Sequence, residues 1–190
     1  MSVKSLLSVV AVAALLQGCV AAAVVGVVGG ASVATDNRSL GNQIDDQKIE
    51  IDAHAKLAAS EALSDNTNLQ VVSVNGSVLV VGQAPNSYLR DQAIKILNDI
   101  NGVKQLHNQI RISNTTAFTT KTNDVWLTSK VKTALFSSDE LDATNIKVVT
   151  ENGEVFLMGL VTKSQANNAV DIARNVGGVN RVFKIFEYID

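Results

Sequence analysis

The stretch "VVSVNGSVLVVGQ", residues 71–83, sets an Asn-Gly pair between two apolar runs. Both central residues of a type I′ turn need positive φ, which Asn and Gly adopt at least cost. Asn75-Gly76 therefore predicts a two-residue β-hairpin. A second stretch, "KVVTENGEVFLMGL" (147–160), has the same frame, with Asn152-Gly153 at the turn and Gly159 where the first has Gly82. Alternating apolar positions follow each turn, Val78 and Val80 in one, Val155 and Leu157 in the other. Self-similarity at a fixed separation is the mark of an internal repeat.

The agreement extends outward from both hairpins. Downstream, a helical pattern carries Ala93, Ile94 and Leu97 in one copy and Ala169, Val170 and Ala173 in the other. Gly102-Val103 or Gly178-Val179 then leads into a last strand. Upstream, Ile51, Ala55, Ala59, Ala62 and Leu63 predict one helix, and Leu127, Val131, Ala134 and Leu135 predict its counterpart. Each unit reads helix, strand, strand, helix, strand, an α+β fold with a small sheet packed on two helices. The expected organisation is a leader at 1–18, a tether at 19–45, a first domain at 46–113, a linker at 114–123 and a second domain at 124–190.

With 46% apolar and 18% charged residues the chain buries a core, and a formal charge of −2 supplies no global field for nucleic acid. The single cysteine cannot form an internal disulfide, and His54 and His107 have no metal-ligand spacing. Cys19 stands in "LLQGCVAAAVVGVVGG" (15–30), after Lys4 and an apolar run from Leu6 to Leu16. A basic start, a short apolar region and small residues form the layout of an export signal. The apolar stretch 5–34 also allows an uncleaved anchor, and Gly26 and Gly30 have the spacing of helix packing in membranes. A phosphate loop is disfavoured because no Gly-Lys-Ser/Thr follows.

Leu16-Gln17-Gly18-Cys19 resembles the lipobox of bacterial lipoproteins. That resemblance implies cleavage before Cys19 and acylation of its thiol and new amino terminus, including by palmitate. Such a set of chains exceeds the two signals that stable anchoring requires. Val20 rather than Asp after the cysteine implies, by the same analogy, the outer membrane. The doubled Gly-x-Val pattern, with its later Gly-Val before a last strand, resembles the BON domain of Gram-negative envelope proteins. Two such units behind a lipobox resemble the dual-BON outer-membrane lipoproteins.

No catalytic constellation occurs in the sequence, and neither an enzyme nor a cofactor is expected. The two histidines read as structural, and Asp45-Asp46 and Asp139-Glu140 as solvated or capping residues. The informative segment is "NDVWLTSKVKTALF" (123–136), where Asp124 is a plausible N-cap. Trp126 lies about 125° from the centre of the apolar stripe, and so points away from its own core. Ser129, Lys130, Thr133 and Phe136 join it on that side, with Lys132 at the flank. Aromatic rings beside ammonium groups suit a membrane interface with anionic headgroups.

The bland alternative has Trp126 packing on the first domain and Phe136 folding into the core. The family resemblance implies that these positions contact anionic phospholipids such as phosphatidylglycerol. It also implies a periplasm-facing location enriched at the division septum, and a part in envelope integrity. The corresponding first-domain helix has no aromatic residue and is expected not to contact lipid. The alternative class is a protein-interaction module serving outer-membrane assembly proteins or a cell-wall machine; a peptidoglycan binder is a weaker third reading.

Overall fold

The computed structural model describes residues 40–113, 118–138 and 141–189. Cys19, with the expected leader and most of the expected tether, lies outside the described residues, as do Asp139 and Glu140. The first unit runs α1 (Leu40–Ala58), α2 (Glu61–Asn66), β1 (Asn68–Val74), β2 (Ser77–Ala84), α3 (Ser87–Asn98) and β3 (Gln105–Ile112). The second runs α4 (Phe118–Phe136), a 3-10 turn (Ala143–Asn145), β4 (Ile146–Glu151), β5 (Glu154–Val161), α5 (Lys163–Arg174) and β6 (Arg181–Tyr188). The helix-strand-strand-helix-strand repeat is present in both copies.

Each sheet has three strands in sequence order, with the first pair antiparallel and the second parallel. Both hairpin turns have the backbone expected of them: Asn75 and Gly76 at φ 54° and 78°, Asn152 and Gly153 at 52° and 73°. Gly82 and Gly159 answer a different need. A Cβ on either would overlap a carbonyl oxygen, that of Asn68 at the start of β1 or that of Asn145 in the 3-10 turn before β4.

α1 and α4 each begin six residues before the expected domain starts at 46 and 124. Asp124 is therefore not the N-cap of α4, and Asp46 is not a solvated residue. Both sit inside their helices, buried, and reach across to the hairpin. Asp46 accepts the backbone N–H of Asn75 (2.7 Å) and Gly76 (2.9 Å) and the Ser73 hydroxyl (2.7 Å). Asp124 accepts the N–H of Asn152 and Gly153, both at 2.8 Å. A turn in this conformation aims successive amides into one spot, and a carboxylate there satisfies donors that would otherwise be buried unpaired.

This tie sets the rotation of α1, and the stripe read from the sequence is corrected. Ile49, Ala53 and Leu57 are buried, with Leu63 following on α2, whereas Ile51 is 66% exposed and Ala55, Ala59 and Ala62 face outward. In α4 the expected stripe holds, with Leu127, Val131 and Leu135 buried and Ala134 partly so.

The central strands are buried on both faces. Val78 and Val80 face the helices of the first unit, and Val155 and Leu157 those of the second. The intervening residues Leu79, Val81, Phe156 and Met158 join Val72, Val149 and Ile185 in a third cluster shared by the two sheets. Val72 and Val149, Leu79 and Phe156, and Val81 and Met158 are 77 positions apart, so equivalent sites of the repeat share one cluster. Polar contacts frame this cluster: Asn75 to Glu187 (2.7 Å), Gln83 to Glu151 and Arg111 to Glu154. The sheets lie face to face, with the helices on the outer sides.

Candidate functional site: the outer face of the fourth helix

The buried stripe of α4 leaves an outward arc of about 160° at 100° per residue. Trp126 is 61% exposed, Phe136 62% and Val125 69%. Three apolar side chains of this size on one exposed helix face are a patch rather than scattered surface residues. Lys130 and Lys132 border the arc on opposite edges, and Ser129 and Thr133 occupy its middle. All six expected site residues thus lie on one face. The sequence reading passed over Val125, although its place in the arc opposite the stripe was available from the same helical period.

The ladder of hydroxyls explains how polar residues fit this face. Ser129 donates to the Val125 carbonyl (3.1 Å), Thr133 to that of Ser129 (2.9 Å), and Ser137 to that of Thr133 (2.8 Å). Each O–H is satisfied within the helix, so the arc turns carbon toward its surroundings and carries no unpaired hydroxyl donor into an apolar medium.

The two bordering lysines differ. Lys130 Nζ stands 4.2 Å from the centroid of the Trp126 ring and donates to the Gly177 carbonyl at the start of the loop before β6. It holds the indole in place by a cation–π contact, worth about 0.5–1 kcal/mol at an exposed site. Lys132 is exposed and has no hydrogen bond or ion pair among the described residues. No helix among the described residues is long and apolar enough to cross a membrane.

The histidines lie apart from this face. His54 is exposed on α1. His107 Nε2 lies 3.1 Å from the Ser77 hydroxyl, and burial pushes its pKa below the usual imidazole value. Glu151, beside Asp124 at the junction of the units, has its pKa raised by burial first and by the Asp124 charge, against lowering by its Gln83 bond and by Lys121 and Arg111.

Residues 45–114 and 123–186 each match the family model of the BON domain. The chain belongs to the BON-domain family. A similar relative is Outer membrane lipoprotein DolP of Haemophilus influenzae. That relative is 42% identical over 175 residues, covering 92% of this chain and 91% of its own length. The 21 kDa hemolysin of Actinobacillus pleuropneumoniae is 38% identical over 154 residues, covering 81% and 79%. Osmotically-inducible protein Y of Escherichia coli is 28% identical over 161 residues, covering 80% and 77%. The exposed arc belongs to the first helix of the second BON domain.

Proposed function

We propose that this chain is an outer-membrane lipoprotein, acylated at Cys19 and facing the periplasm, whose second BON domain engages anionic phospholipid. The name of the Haemophilus relative supports the location, and the Leu16-Gln17-Gly18-Cys19 tetrad supports the anchor. The observation that carries the lipid reading is the exposed Val125, Trp126 and Phe136 set, between two lysines and over an internally satisfied hydroxyl ladder. Rings and aliphatic groups settle at headgroup depth while ammonium groups meet phosphates. An already anchored protein gains from this second contact a choice of lipid or place, which suits enrichment at division sites and a part in envelope integrity.

Trp126→Glu is expected to weaken binding to phosphatidylglycerol micelles and to disperse the protein from the septum. Unchanged binding contradicts the lipid reading. Mass spectrometry of Cys19 tests the anchor separately, where a free thiol on the processed chain contradicts it. A protein-docking role is favoured by one observation, the exposed Ile44 and Ile51 on the outer face of α1. A partner recovered in stoichiometric amount and lost on Ile51→Glu, with lipid binding intact, supports that second reading.

A further inference from the structure

Beside the exposed arc, a cleft of about 600 Å³ runs between α4 and strands β1 and β4, one strand from each domain. Its size is within the range of small-ligand sites, about 300–1,000 Å³. Val125 and Ser129 of the arc also line it, so the cleft opens onto the face proposed to meet the membrane. Lys121, Lys132 and Lys147 border it against two carboxylates, Asp124 and Glu151.

Those carboxylates are already engaged. Asp124 holds the hairpin amides, and Glu151 accepts from Gln83 and, at 3.3 Å, from Asn152. The lysines are less well compensated. Lys132 has no hydrogen bond or ion pair among the described residues, whereas Lys121 donates to the amide oxygen of Asn68 at 2.9 Å and stands near enough to Glu151 to lower its pKa. Lys147 alone is paired with an acid, Glu50, at 2.8 Å. Glu50 is shared, since it also accepts the Ser73 N–H at 2.8 Å. Lys132 and Lys147 further border a recess of about 290 Å³ with Phe136, so the cationic rim continues along the arc.

We propose that this interdomain cleft is a phosphodiester site, with Lys132 as the ligand of the phosphate and the first BON domain forming one wall. The inference rests on the lipid reading for the source of the phosphate, a phospholipid headgroup whose chains lie against Val125, Trp126 and Phe136. It makes headgroup binding a property of both domains.

The wall supplied by the first domain provides the test. Gln70 is exposed on β1 and lines the cleft, away from Trp126. The full chain carrying Cys19→Ser is titrated with vesicles of phosphatidylcholine containing phosphatidylglycerol, with phosphatidylcholine alone, and with soluble glycerophosphoglycerol. At low salt, Gln70→Glu is expected to weaken binding to the anionic vesicles about fivefold and Gln70→Lys to strengthen it by a similar factor, as one charge near an anionic surface does. Lys132→Gln is expected to weaken it about fivefold as well.

Amide shifts at residues 68–72 and 147–151 on adding the soluble diester alone support a site that takes phosphodiesters from solution. The same shifts with anionic vesicles only support the lipid as the source. No shift in either arm, or Gln70→Glu and Gln70→Lys both binding like the parent while Trp126→Glu does not bind, overturns the cleft and leaves the membrane face standing. Normal binding by Trp126→Glu as well overturns both.

Discussion

α1 and α4 occupy the same place in two copies of one fold, and their residues correspond at a spacing of 78. On the inner side the pairs match in kind: Asp46 with Asp124, Ile49 with Leu127, Ala53 with Val131, Leu57 with Leu135. On the outer side they diverge: Lys48 against Trp126, Asp52 against Lys130, His54 against Lys132, Ala58 against Phe136. Ile51 and Ala55 stand where α4 has the hydroxyls of Ser129 and Thr133. The inner face answers to the hairpin turn and the core, which are common to both copies. The outer face has few ties inside the molecule, the Lys130 bond to the Gly177 carbonyl among them, so its chemistry is freer to serve a partner, and the two helices present different ones.

The largest effects are expected where the copies are most alike. Gly82→Ala and Gly159→Ala each drive a Cβ into a backbone carbonyl oxygen at positive φ, and each is expected to cost about 4 kcal/mol or more, read by urea unfolding. A much smaller loss in one domain breaks the equivalence. Asp46→Ala and Asp124→Ala each strand one buried and one partly buried turn amide and are expected to cost about 3 kcal/mol each.

The outer face gives the opposite pattern. Trp126→Lys, which installs the residue of α1, is expected to cost about 1 kcal/mol, the cation–π contact with Lys130 being replaced by a like-charge i,i+4 pair, while vesicle sedimentation with phosphatidylglycerol falls at least severalfold. The reverse graft, Lys48→Trp with Ala58→Phe, is expected to restore little of that binding in a Trp126→Lys background. Asp45 and Asp52 flank the grafted rings and oppose an anionic surface. Full restoration shows that aromatic exposure alone suffices.

The smallest effects concern pH. Glu151 has a raised pKa, so its protonated form is favoured in the fold. Its contribution is full below the unfolded value of 4.5 and is lost as pH rises through the folded one. Glu151→Gln is expected to unfold at higher urea than the parent at neutral pH, the gap closing below that value. His107 has a lowered pKa, so its contribution is present above 6.5 and lost as pH falls through the folded value. The second domain has Phe183, stacked on Phe156, in the equivalent place. His107→Phe is therefore expected to flatten the acid sensitivity between neutral and mildly acidic pH.

The hairpins, the repeat and the outward Trp126 were legible because each rests on local rules: positive φ at Asn-Gly and the period of a helix. The stripe of α1 was not, because Ile51, Ala55 and Ala59 repeat at helical spacing as well as Ile49, Ala53 and Leu57 do. The choice between them is made by Asp46, whose partners lie about thirty positions away across the turn. The docking of the two sheets left a trace in the unbroken apolar runs 78–81 and 155–158, since strands buried on both faces do not alternate. Which surface covers the second face depends on long-range pairing that no period encodes. The cleft with Lys121, Lys132 and Lys147 exists only after that docking.

Trp126 is the only tryptophan of the chain, so its emission reports on this face alone. The most direct measurement is the fluorescence of the full chain carrying Cys19→Ser, with vesicles containing brominated acyl chains. With phosphatidylglycerol present, the emission is expected to shift to shorter wavelength and to be quenched, and to do neither with phosphatidylcholine alone. Co-sedimentation with anionic vesicles while the emission stays unshifted and unquenched contradicts the assignment of the α4 face to the membrane.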